Sequence, residues 1–407
     1  MNILMLSDVY FPRVNGVSTS IRTYARALTA MGHRVTLVAP DYGDDARLAQ
    51  APFDAEGFEV IRVPAKVLFF DPEDRLFERG PLACTEQLLR ARHWDVVHIH
   101  TPFRAHGLGV RLARATGVRT VETYHTYFEE YVGHYLPWLP EWLTRAFARR
   151  ASRYLCDGVD HLIVPTAEMV QVLDRYGVRT PSTVLPTGID LEEFAGGDGA
   201  RFRAAHGITP DQPVLVTVSR LALEKNIGFL LQVAARLVAQ WPRLVFIVAG
   251  EGPDAARLRA QASALGLDDN VRFFGNLDRR TTLLDAYKAG DLFVFASPTE
   301  TQGLVLIEAM ALGVPIVSTA VMGTATVLKG ARSAQASDED VEAFAGHVDA
   351  LLRDPARRTA MAAAGPADAR AWATPALMRQ VEALYASLAP ATAKTAAAST
   401  GVAPARP

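Results

Sequence analysis

The sequence has little cysteine, no strong excess of charge of either sign and no long apolar run. Its 407 residues include two cysteines, Cys84 and Cys156, which lie far apart and lack the spacing of a metal site. We therefore expect two buried thiols in a reducing compartment, and neither a disulfide framework nor a zinc site. The formal net charge of −2 argues against a nucleic acid as partner.

The amino terminus also lacks the features of a targeting segment. The residues MNILMLSDVYFP have no basic region and only a short apolar run, so they predict a first strand and not a signal peptide. No apolar stretch approaches the roughly 20 residues that span a bilayer. We expect a cytoplasmic protein that is at most peripheral on the inner membrane face.

Short runs rich in Val, Ile and Leu alternate with helical patterns along the chain. The predicted strands are NILML, RVTLVAP, FEVIRVP, DVVHIH, VRTVETYH and HLIVPT in the first half, then PVLVTVSR, LVFIVAG, VRFFG, DLFVFASP and VPIVS. Apolar strands that alternate with helices are typical of parallel sheets covered on both faces. The predicted fold class is α/β, with two doubly wound, Rossmann-like domains that face a cleft.

The alternation restarts near GIDLEEFAGGDGARF, where Gly and Asp cluster. We place the first domain at 1–190 and the second at 191–365. A last helix, at 366–388, has no strand after it. The tail at 389–407 is rich in Ala, Pro and Thr and is predicted to be disordered.

Segments that directly follow strands hold the candidate site residues, because ligands of open α/β sheets bind at the carboxyl ends of the strands. After the first strand, Gly16 allows the backbone to approach a ligand, and the next helix offers free N–H groups to an anion. Alternatively, Gly16 is an ordinary loop glycine, with Asn15 and Ser18 as helix caps.

Two cations follow the first strand of the second domain. Arg220 and Lys225, in SRLALEKN, lie between a strand end and a helix, where a planar fork and a point charge suit a diphosphate. The alternative is a solvated pair, in which Glu224 neutralises Lys225.

Two glutamates, Glu300 and Glu308, lie in the apolar segment SPTETQGLVLIEAMALGVPIV. A fully helical path would separate them by about 12 Å. A glycosidase pair needs roughly 5–9.5 Å, so two acceptors at the ends of an extended ligand fit better, one for a sugar hydroxyl and one for ribose hydroxyls. Alternatively, Glu308 is a partly buried carboxylate paired with a base, because burying it alone is prohibitive. The helix start at Gly303, Leu304 and Val305 is a further anion site.

Three histidines fall at strand ends of the first domain. His98 and His100 share one strand face, and His125 ends another strand. A metal site that recruits these side chains and Glu129 lacks any short-spaced ligand motif. A role for His125 in contacting a sugar is favoured, because its position places it in the cleft.

Two further patterns have competing interpretations. The loop AGEGPDA imitates a dinucleotide fingerprint, but the acidic residue expected at the end of the next strand is missing. The segment at 138–153 is either a surface helix with its apolar side in the core or a basic, aromatic helix that lies on an anionic membrane. Its aromatic and basic residues are Trp138, Trp142, Phe147, Arg145, Arg149, Arg150 and Arg153.

Together these segments are similar to the retaining glycosyltransferases of the GT-B fold, family four. The resemblance runs from SDVYFPRVNGVS through VLPTGIDLEEF and VSRLALEKN to ETQGLVLIEAMALGVPIV, where Glu300 and Glu308 match the family's Glu-x7-Glu element. The fold it implies has a carboxyl-terminal helix that crosses back to the first domain. YHTYFEEY and ETQGL are similar to the branch that glucosylates diacylglycerol.

The resemblance also implies roles for the candidate residues. Arg220 and Lys225 would hold the donor diphosphate, Glu308 the ribose, and Gly16 would line the diphosphate from the first domain. His125 would contact the sugar near the reacting carbon. The donor sugar and distal phosphate would be held by Glu300 and the backbone of Thr301, Gln302, Gly303, Leu304 and Val305.

The expected activity is transfer of a hexose, glucose or mannose, from a nucleoside diphosphate sugar to an acceptor hydroxyl, such as that of a glycerolipid, with retention of configuration. No metal or other cofactor is expected. Three alternatives stay open from the sequence: a nucleotide-sugar 2-epimerase, a sugar-nucleotide sensor without catalysis and, more weakly, a dehydrogenase.

Overall fold

The computed structural model describes residues 1–13, 15–43, 57–67, 75–125 and 141–388, which form two sheets of mainly parallel strands flanked by helices. The strands of the first sheet are β1 Asn2–Leu6, β2 Arg34–Asp41, β3 Glu59–Val67, β4 Arg75–Phe77, β5 Val96–Ile99, β6 Thr120–Thr123, β7 His161–Val164 and β8 Ser182–Val184. Those of the second are β9 Val214–Val218, β10 Val245–Ala249, β11 Val271–Gly275, β12 Leu292–Phe295, β13 Ile316–Thr319 and β14 Ala334–Ser337.

The helices fall between the strands, as the alternating pattern predicts. In the first domain they are α1 Gly16–Ala30, α2 Arg79–Arg90, α3 Arg104–Thr116, α4 Glu141–Cys156 and α5 Ala167–Tyr176. After the first sheet they are α6 Gly199–Ala205, α7 Ile227–Val238, α8 Ala255–Ala264, α9 Thr282–Ala289, α10 Leu304–Ala311, α11 Gly323–Leu328, α12 Val341–Arg353, α13 Pro355–Ala369 and α14 Thr374–Leu388.

The central strands are buried on both faces because helices cover each sheet on two sides. Every residue of β10 and β12 is buried, which explains why these strands are continuously apolar and do not alternate with polar residues. Side chains cap several helices; for example, Asp340 accepts a hydrogen bond from the N–H of Ala343 at the start of α12.

The strand order places the candidate segments at the carboxyl ends of central strands in each sheet. The first sheet runs β4-β3-β2-β1-β5-β6-β7-β8, and the second runs β11-β10-β9-β12-β13-β14. The order therefore reverses between β1 and β5 and between β9 and β12, and ligands of such sheets bind at these reversals. The segments with Gly16, with Arg220 and Lys225, and with Glu300 follow β1, β9 and β12.

Three short strands were not predicted. β4 pairs antiparallel with β3, so the first sheet is not purely parallel. β8 and β14 lie at the outer edges of the two sheets. Their sequences, STV and AQAS, are short and mostly polar or small. They lack the apolar run that identified the central strands, because an edge strand is only partly covered.

Helix α14 crosses back to the first domain, which confirms the expected GT-B arrangement. Its buried residues Leu377, Met378, Val381 and Tyr385 pack in one core cluster with Ile3, Met5 and other first-domain residues. At its surface, His33 bonds to Glu382 at 2.9 Å. The predicted disordered tail at 389–407 lies outside the described residues.

The two cysteines are free, but only one is buried. Cys156 is buried, and burial raises the pKa of its thiol. The expectation of a buried thiol is wrong for Cys84, which lies on an exposed face of α2. Among the residues that the structure describes, no helix is both long and apolar enough to cross a membrane.

The docking of α14 can be tested by truncating Met378, whose side chain is fully buried. Met378→Ala should lower the free energy of unfolding by about 2–5 kcal/mol, because it leaves a cavity between α14 and the first domain. Gln380→Ala, on the exposed face of the same helix, should change it by less than about 0.5 kcal/mol. Equal effects of the two substitutions in urea unfolding would contradict this packing.

Candidate active site

The loop that connects β12 to α10 is held by a different partner at each position. Glu300 Oε1 accepts a hydrogen bond from Lys225 Nζ at 2.5 Å. Thr301 Oγ1 donates to the backbone oxygen of His125 at 3.2 Å. The Gln302 amide bonds to both backbone groups of Thr187 at 2.7 Å each. We call residues 300–303 the donor loop, and its position is fixed relative to both domains.

The contact of Gln302 reaches the segment that links the two domains. Thr187 lies just beyond β8, and its hydroxyl is 2.8 Å from the hydroxyl of Ser20 on α1. Gln302 is almost fully buried. A buried amide that satisfies both a backbone N–H and a backbone C=O fixes the linker against the donor loop. The side chain of Gln302 is thus engaged by protein, so only its backbone can serve a ligand in this arrangement.

Gly303 allows the chain to turn from the strand into helix α10. Its φ of 86° lies in the left-handed region that glycine adopts without a steric cost. The helix then begins at Leu304, so the first N–H groups of α10 point back toward the donor loop. Because Glu300 lies before the helix, the fully helical path between Glu300 and Glu308 that we considered from the sequence is not adopted.

A second glycine lets another segment approach the donor loop. Gly323 N–H donates to the backbone oxygen of Glu300 at 2.8 Å. A Cβ atom at Gly323 would lie 2.3 Å from the carbonyl carbon of Thr301. Any larger residue would therefore displace the loop. Helix α11 begins at this glycine, so two helix starts, of α10 and α11, meet at the donor loop.

Glu308 is 2% exposed and both of its oxygens have partners. Arg279 Nη2 donates to Oε1 at 2.6 Å, and Tyr287 Oη donates to Oε2 at 2.8 Å. Burial would lower the pKa of Arg279, but the neighbouring carboxylate outweighs it and the pKa is raised. Burial, reinforced by Glu308, raises the pKa of Tyr287. The requirement that this buried carboxylate be paired with a base is therefore met.

Of the two predicted cations, Lys225 contacts the donor loop and Arg220 precedes Lys225 in the same segment. Both are half-buried, and they follow β9, the strand next to β12. Lys225 pairs with Glu300 and not with Glu224. The backbone oxygen of Glu224 accepts a hydrogen bond from Ser297 Oγ at 3.0 Å. The alternative of a Glu224–Lys225 pair is not adopted. Gly16 is exposed at the first residue of α1, where Asn15 caps the helix by accepting from Ser18 N–H.

The three histidines form one group near the carboxyl ends of β5 and β6, in which His98 and His100 are buried and His125 is half-buried. His100 Nδ1 lies 3.2 Å from His125 Nε2, and the ring centroids of His98 and His100 are 3.9 Å apart. Burial lowers the pKa of His125 to about 4, and it lowers the pKa values of His98 and His100 well below their usual range. The three rings are therefore neutral near pH 7. No cluster of three or more metal-ligand side chains occurs within the described ranges.

Sequence reasoning missed three residues near these segments: Arg279, Tyr287 and Asp8. Asp8 follows β1 and accepts from the Thr101 hydroxyl at 2.8 Å and from N–H groups at the start of α3. Burial raises its pKa to about 6 despite these bonds. Its position directly after a strand could have selected it. Arg279 also lies in a segment that follows a strand, β11, whereas Tyr287 lies within α9 and had no such signal.

The buried pair can be tested by removing its cation. Arg279→Ala should lower the free energy of unfolding by about 3 kcal/mol, because Glu308 would be left buried with only Tyr287 as a partner. Arg236→Ala removes an exposed pair with Glu342 and should cost less than about 1 kcal/mol. Chemical unfolding of both variants measures the difference, and an Arg279→Ala effect no larger than that of Arg236→Ala would refute the account.

Comparison with protein families gives matches over both domains. The family described as "Glycosyltransferase Family 4" matches residues 14–193, and the family described as "Glycosyl transferases group 1" matches residues 198–368. Both matches include predicted site residues: Gly16 and His125 lie in the first, and Arg220, Glu300 and Glu308 lie in the second.

Curated relatives and solved structures agree with these matches. The chain is 33% identical over 330 residues to an alpha-monoglucosyldiacylglycerol synthase of Streptococcus pneumoniae, covering 78% of this chain and 71% of the relative. It is 27% identical over 372 residues to a GDP-mannose-dependent alpha-(1-6)-phosphatidylinositol dimannoside mannosyltransferase of Mycobacterium tuberculosis, covering 91% and 93%. The Anabaena protein Alr3699/HepE, solved with UDP and glucose, superposes with a TM-score of 0.78 at 17% identity over 95% of this chain and all of that one.

These similarities favour glycosyl transfer over the epimerase, sensor and dehydrogenase alternatives. The chain is therefore a member of glycosyltransferase family 4, a retaining hexosyltransferase with the GT-B fold that uses a nucleotide sugar as donor.

Proposed function

We propose that the enzyme transfers a hexose, with glucose and mannose as the candidates, from a nucleoside diphosphate sugar to a hydroxyl of a glycerolipid at the cytoplasmic face of an anionic membrane. The observation that carries the proposal is the donor loop, which pairs with Lys225, leads into helix α10 and bonds to His125 and Thr187. The lipid acceptor is supported by the names of the two relatives, one a monoglucosyldiacylglycerol synthase and the other a phosphatidylinositol dimannoside mannosyltransferase.

The donor diphosphate would lie between β9 and β12. Arg220 and Lys225 would contact its oxygens, and the first N–H groups of α10, at Leu304 and Val305, would add a partial positive charge. Lys225 is already paired with Glu300, so its positive charge near the diphosphate is partly offset. Gly16, at the start of α1, would complete the site from the first domain.

The two ends of the donor would be recognised by different carboxylates. Glu308 would accept from the ribose hydroxyls, since each of its oxygens has one lone pair beyond that used by Arg279 or Tyr287. Glu300 would accept from a hydroxyl of the hexose. His125, which contacts Thr301 of the donor loop, would lie near the reacting carbon.

Retention would follow from attack on the same face that the diphosphate leaves. The bond between the anomeric carbon and the diphosphate oxygen breaks, a bond to the acceptor oxygen forms, and the leaving diphosphate oxygen takes the acceptor's proton. Negative charge grows on the diphosphate as this happens. Arg220, Lys225 and the N–H groups of α10 are fixed in advance to stabilise it. These groups supply the charge that a metal would otherwise supply, so we expect turnover to persist in EDTA.

Helix α4 supplies the surface that would contact the membrane. Its side toward the protein carries Thr144, Ala148 and Ser152, which are buried. The opposite side exposes aromatic and aliphatic residues together with arginines, namely Trp142, Leu143, Phe147, Tyr154, Arg145, Arg149, Arg150 and Arg153. Apolar side chains surrounded by arginines are complementary to an anionic lipid surface. The predicted membrane segment, 138–153, overlaps this helix over 141–153, and the helix continues to Cys156. Residues 138–140 lie outside the described part.

Arg220 provides the test of the donor site. Arg220→Ala should lower kcat by about 100-fold or more, the scale seen when one charge-stabilising donor is lost. Arg243→Ala, which removes an exposed pair with Asp211, should leave kcat unchanged.

UDP, GDP and ADP are first compared in a thermal-shift panel, since the cognate nucleotide stabilises the fold by mass action. Transfer of radiolabelled hexose to diacylglycerol in mixed micelles is then measured, and near-normal turnover of Arg220→Ala would exclude the assigned role.

Reversing a charge on α4 tests the membrane surface. Arg150→Glu should weaken binding to phosphatidylglycerol vesicles about 30-fold, since it replaces one attraction with one repulsion at about 1 kcal/mol each. Arg175→Glu makes the same charge reversal at an exposed position of helix α5, in the same domain. It should have little effect on vesicle binding. Co-sedimentation with phosphatidylglycerol and with phosphatidylcholine vesicles measures both. Equal loss in the two variants, or no preference for the anionic vesicles, would show that α4 is not the contact surface.

A further inference from the structure

The side chain of His125 is held through one of its two ring nitrogens. Nε2 lies 3.2 Å from His100 Nδ1, while the centroids of the two rings are 5.5 Å apart and their planes differ by 19°. These values place the rings end to end and nearly coplanar, which is the geometry of a hydrogen bond between ring nitrogens. His125 Nε2 is thus engaged by protein, and within the described ranges Nδ1 has no protein partner and is the nitrogen left for a ligand.

The pair consists of two neutral rings, so one must donate and the other accept. His100 is 1% exposed, and its other nitrogen, Nε2, is buried without a hydrogen-bond partner in the part of the chain that the structure describes. A proton on that nitrogen would be a buried N–H with nothing to accept it, which is rarer in proteins than an unsatisfied acceptor. The proton of His100 therefore belongs on Nδ1, from which it is donated to His125 Nε2.

The ring of His100 packs against the ring of His98. Both ring nitrogens of His98 have partners: Tyr385 Oη lies 2.6 Å from Nδ1, and Thr123 Oγ1 lies 2.7 Å from Nε2. The His98 ring packs 3.9 Å from that of His100. Tyr385 is on α14, the helix that crosses back from the second domain. A continuous series of contacts thus connects the crossover helix to the ring that faces the cleft.

We propose that His100 is a positioning residue that fixes His125 as the Nδ1–H tautomer, so that His125 presents an N–H donor, and not a base, to an oxygen of the donor sugar. The proposal rests on the placement of the sugar beside His125 given above. A donor here can bond a sugar hydroxyl or the ring oxygen, whereas a neutral ring with its lone pair toward the cleft could only accept. His98 and Tyr385 would hold His100 in place.

The state of the rings is read directly by long-range ¹H–¹⁵N correlation spectra of the ¹⁵N-histidine-labelled protein at pH 7, with signals assigned from His125→Gln and His100→Asn. We expect His125 to carry its proton on Nδ1 alone. In His100→Leu the single tautomer should be replaced by an averaged one. A proton on Nε2 of His125 in the unaltered protein, or an unchanged His125 spectrum in His100→Leu, would overturn the proposal.

Kinetics of amide replacements separate positioning from general stability. An asparagine amide at position 100 lies where Nδ1 lies and can still donate, whereas a glutamine amide lies where Nε2 lies. His100→Asn should keep the His125 spectrum and a kcat close to that of the unaltered enzyme. His100→Gln should lose both, with kcat lowered about tenfold, the scale of a lost supporting hydrogen bond, and an unchanged KM for the donor. Equal kcat values for the two variants would contradict the assignment, and this comparison holds even if His100→Leu fails to fold.

The two readouts also distinguish this proposal from the proposed function. The spectra need neither donor nor acceptor, so they report the tautomer whatever the enzyme transfers. Absence of lipid glycosylation with the expected spectra would refute the function alone. Transfer with the opposite tautomer would refute the positioning role alone.

Discussion

The paired hydrogen bonds between Gln302 and the backbone of Thr187 are the constraint on which the site depends. They join the donor loop to the segment that links the two domains. Gln302 Oε1 accepts from the Thr187 N–H and Gln302 Nε2 donates to the Thr187 oxygen, both at 2.7 Å. Glu300 of the loop also accepts a hydrogen bond from Lys225 of the second domain, and Thr301 donates one to the backbone oxygen of His125 of the first. A loop held in this way cannot shift without moving the linker, so its helix start and its carboxylate keep a fixed position between the sheets. Such fixed dipoles and charges are what stabilise a growing charge at no cost in reorganisation.

Burial divides the charges of the site into two kinds. Glu308 is enclosed with Arg279 and Tyr287, and the bond to Tyr287 holds helix α10 against helix α9. Arg220, Lys225 and Glu300 are only half-buried. In the proposed function the first group would also accept from the ribose hydroxyls, and the two cations of the second would contact the diphosphate. On the opposite side of the cleft the histidines are neutral, so the first domain offers hydrogen bonds where the second offers charge.

The sequence contained most of the central architecture. Apolar runs identified the eleven strands that are predicted above, and the rule that ligands bind after strand ends selected segments that lie at both sheet reversals. It could not supply β4, β8 and β14, whose short edge sequences carry little hydrophobic signal, nor the exposure of Cys84. In the site, Glu300 and Glu308 were selected because charge in an apolar segment is costly. Their partners Lys225, Arg279 and Tyr287, and the role of Gln302 as a link to Thr187, depend on contacts between distant parts of the chain, which local patterns do not encode.

The central claim is that the donor diphosphate lies between Arg220, Lys225 and the start of helix α10. A crystal structure of the enzyme with an intact nucleoside diphosphate sugar tests it most directly. The account predicts diphosphate oxygens within hydrogen-bond distance of the Arg220 guanidinium, the Lys225 ammonium and the N–H groups at Leu304 and Val305, with the ribose at Glu308 and the hexose between Glu300 and His125. A diphosphate bound elsewhere in the cleft, with its ribose away from Glu308, would contradict it.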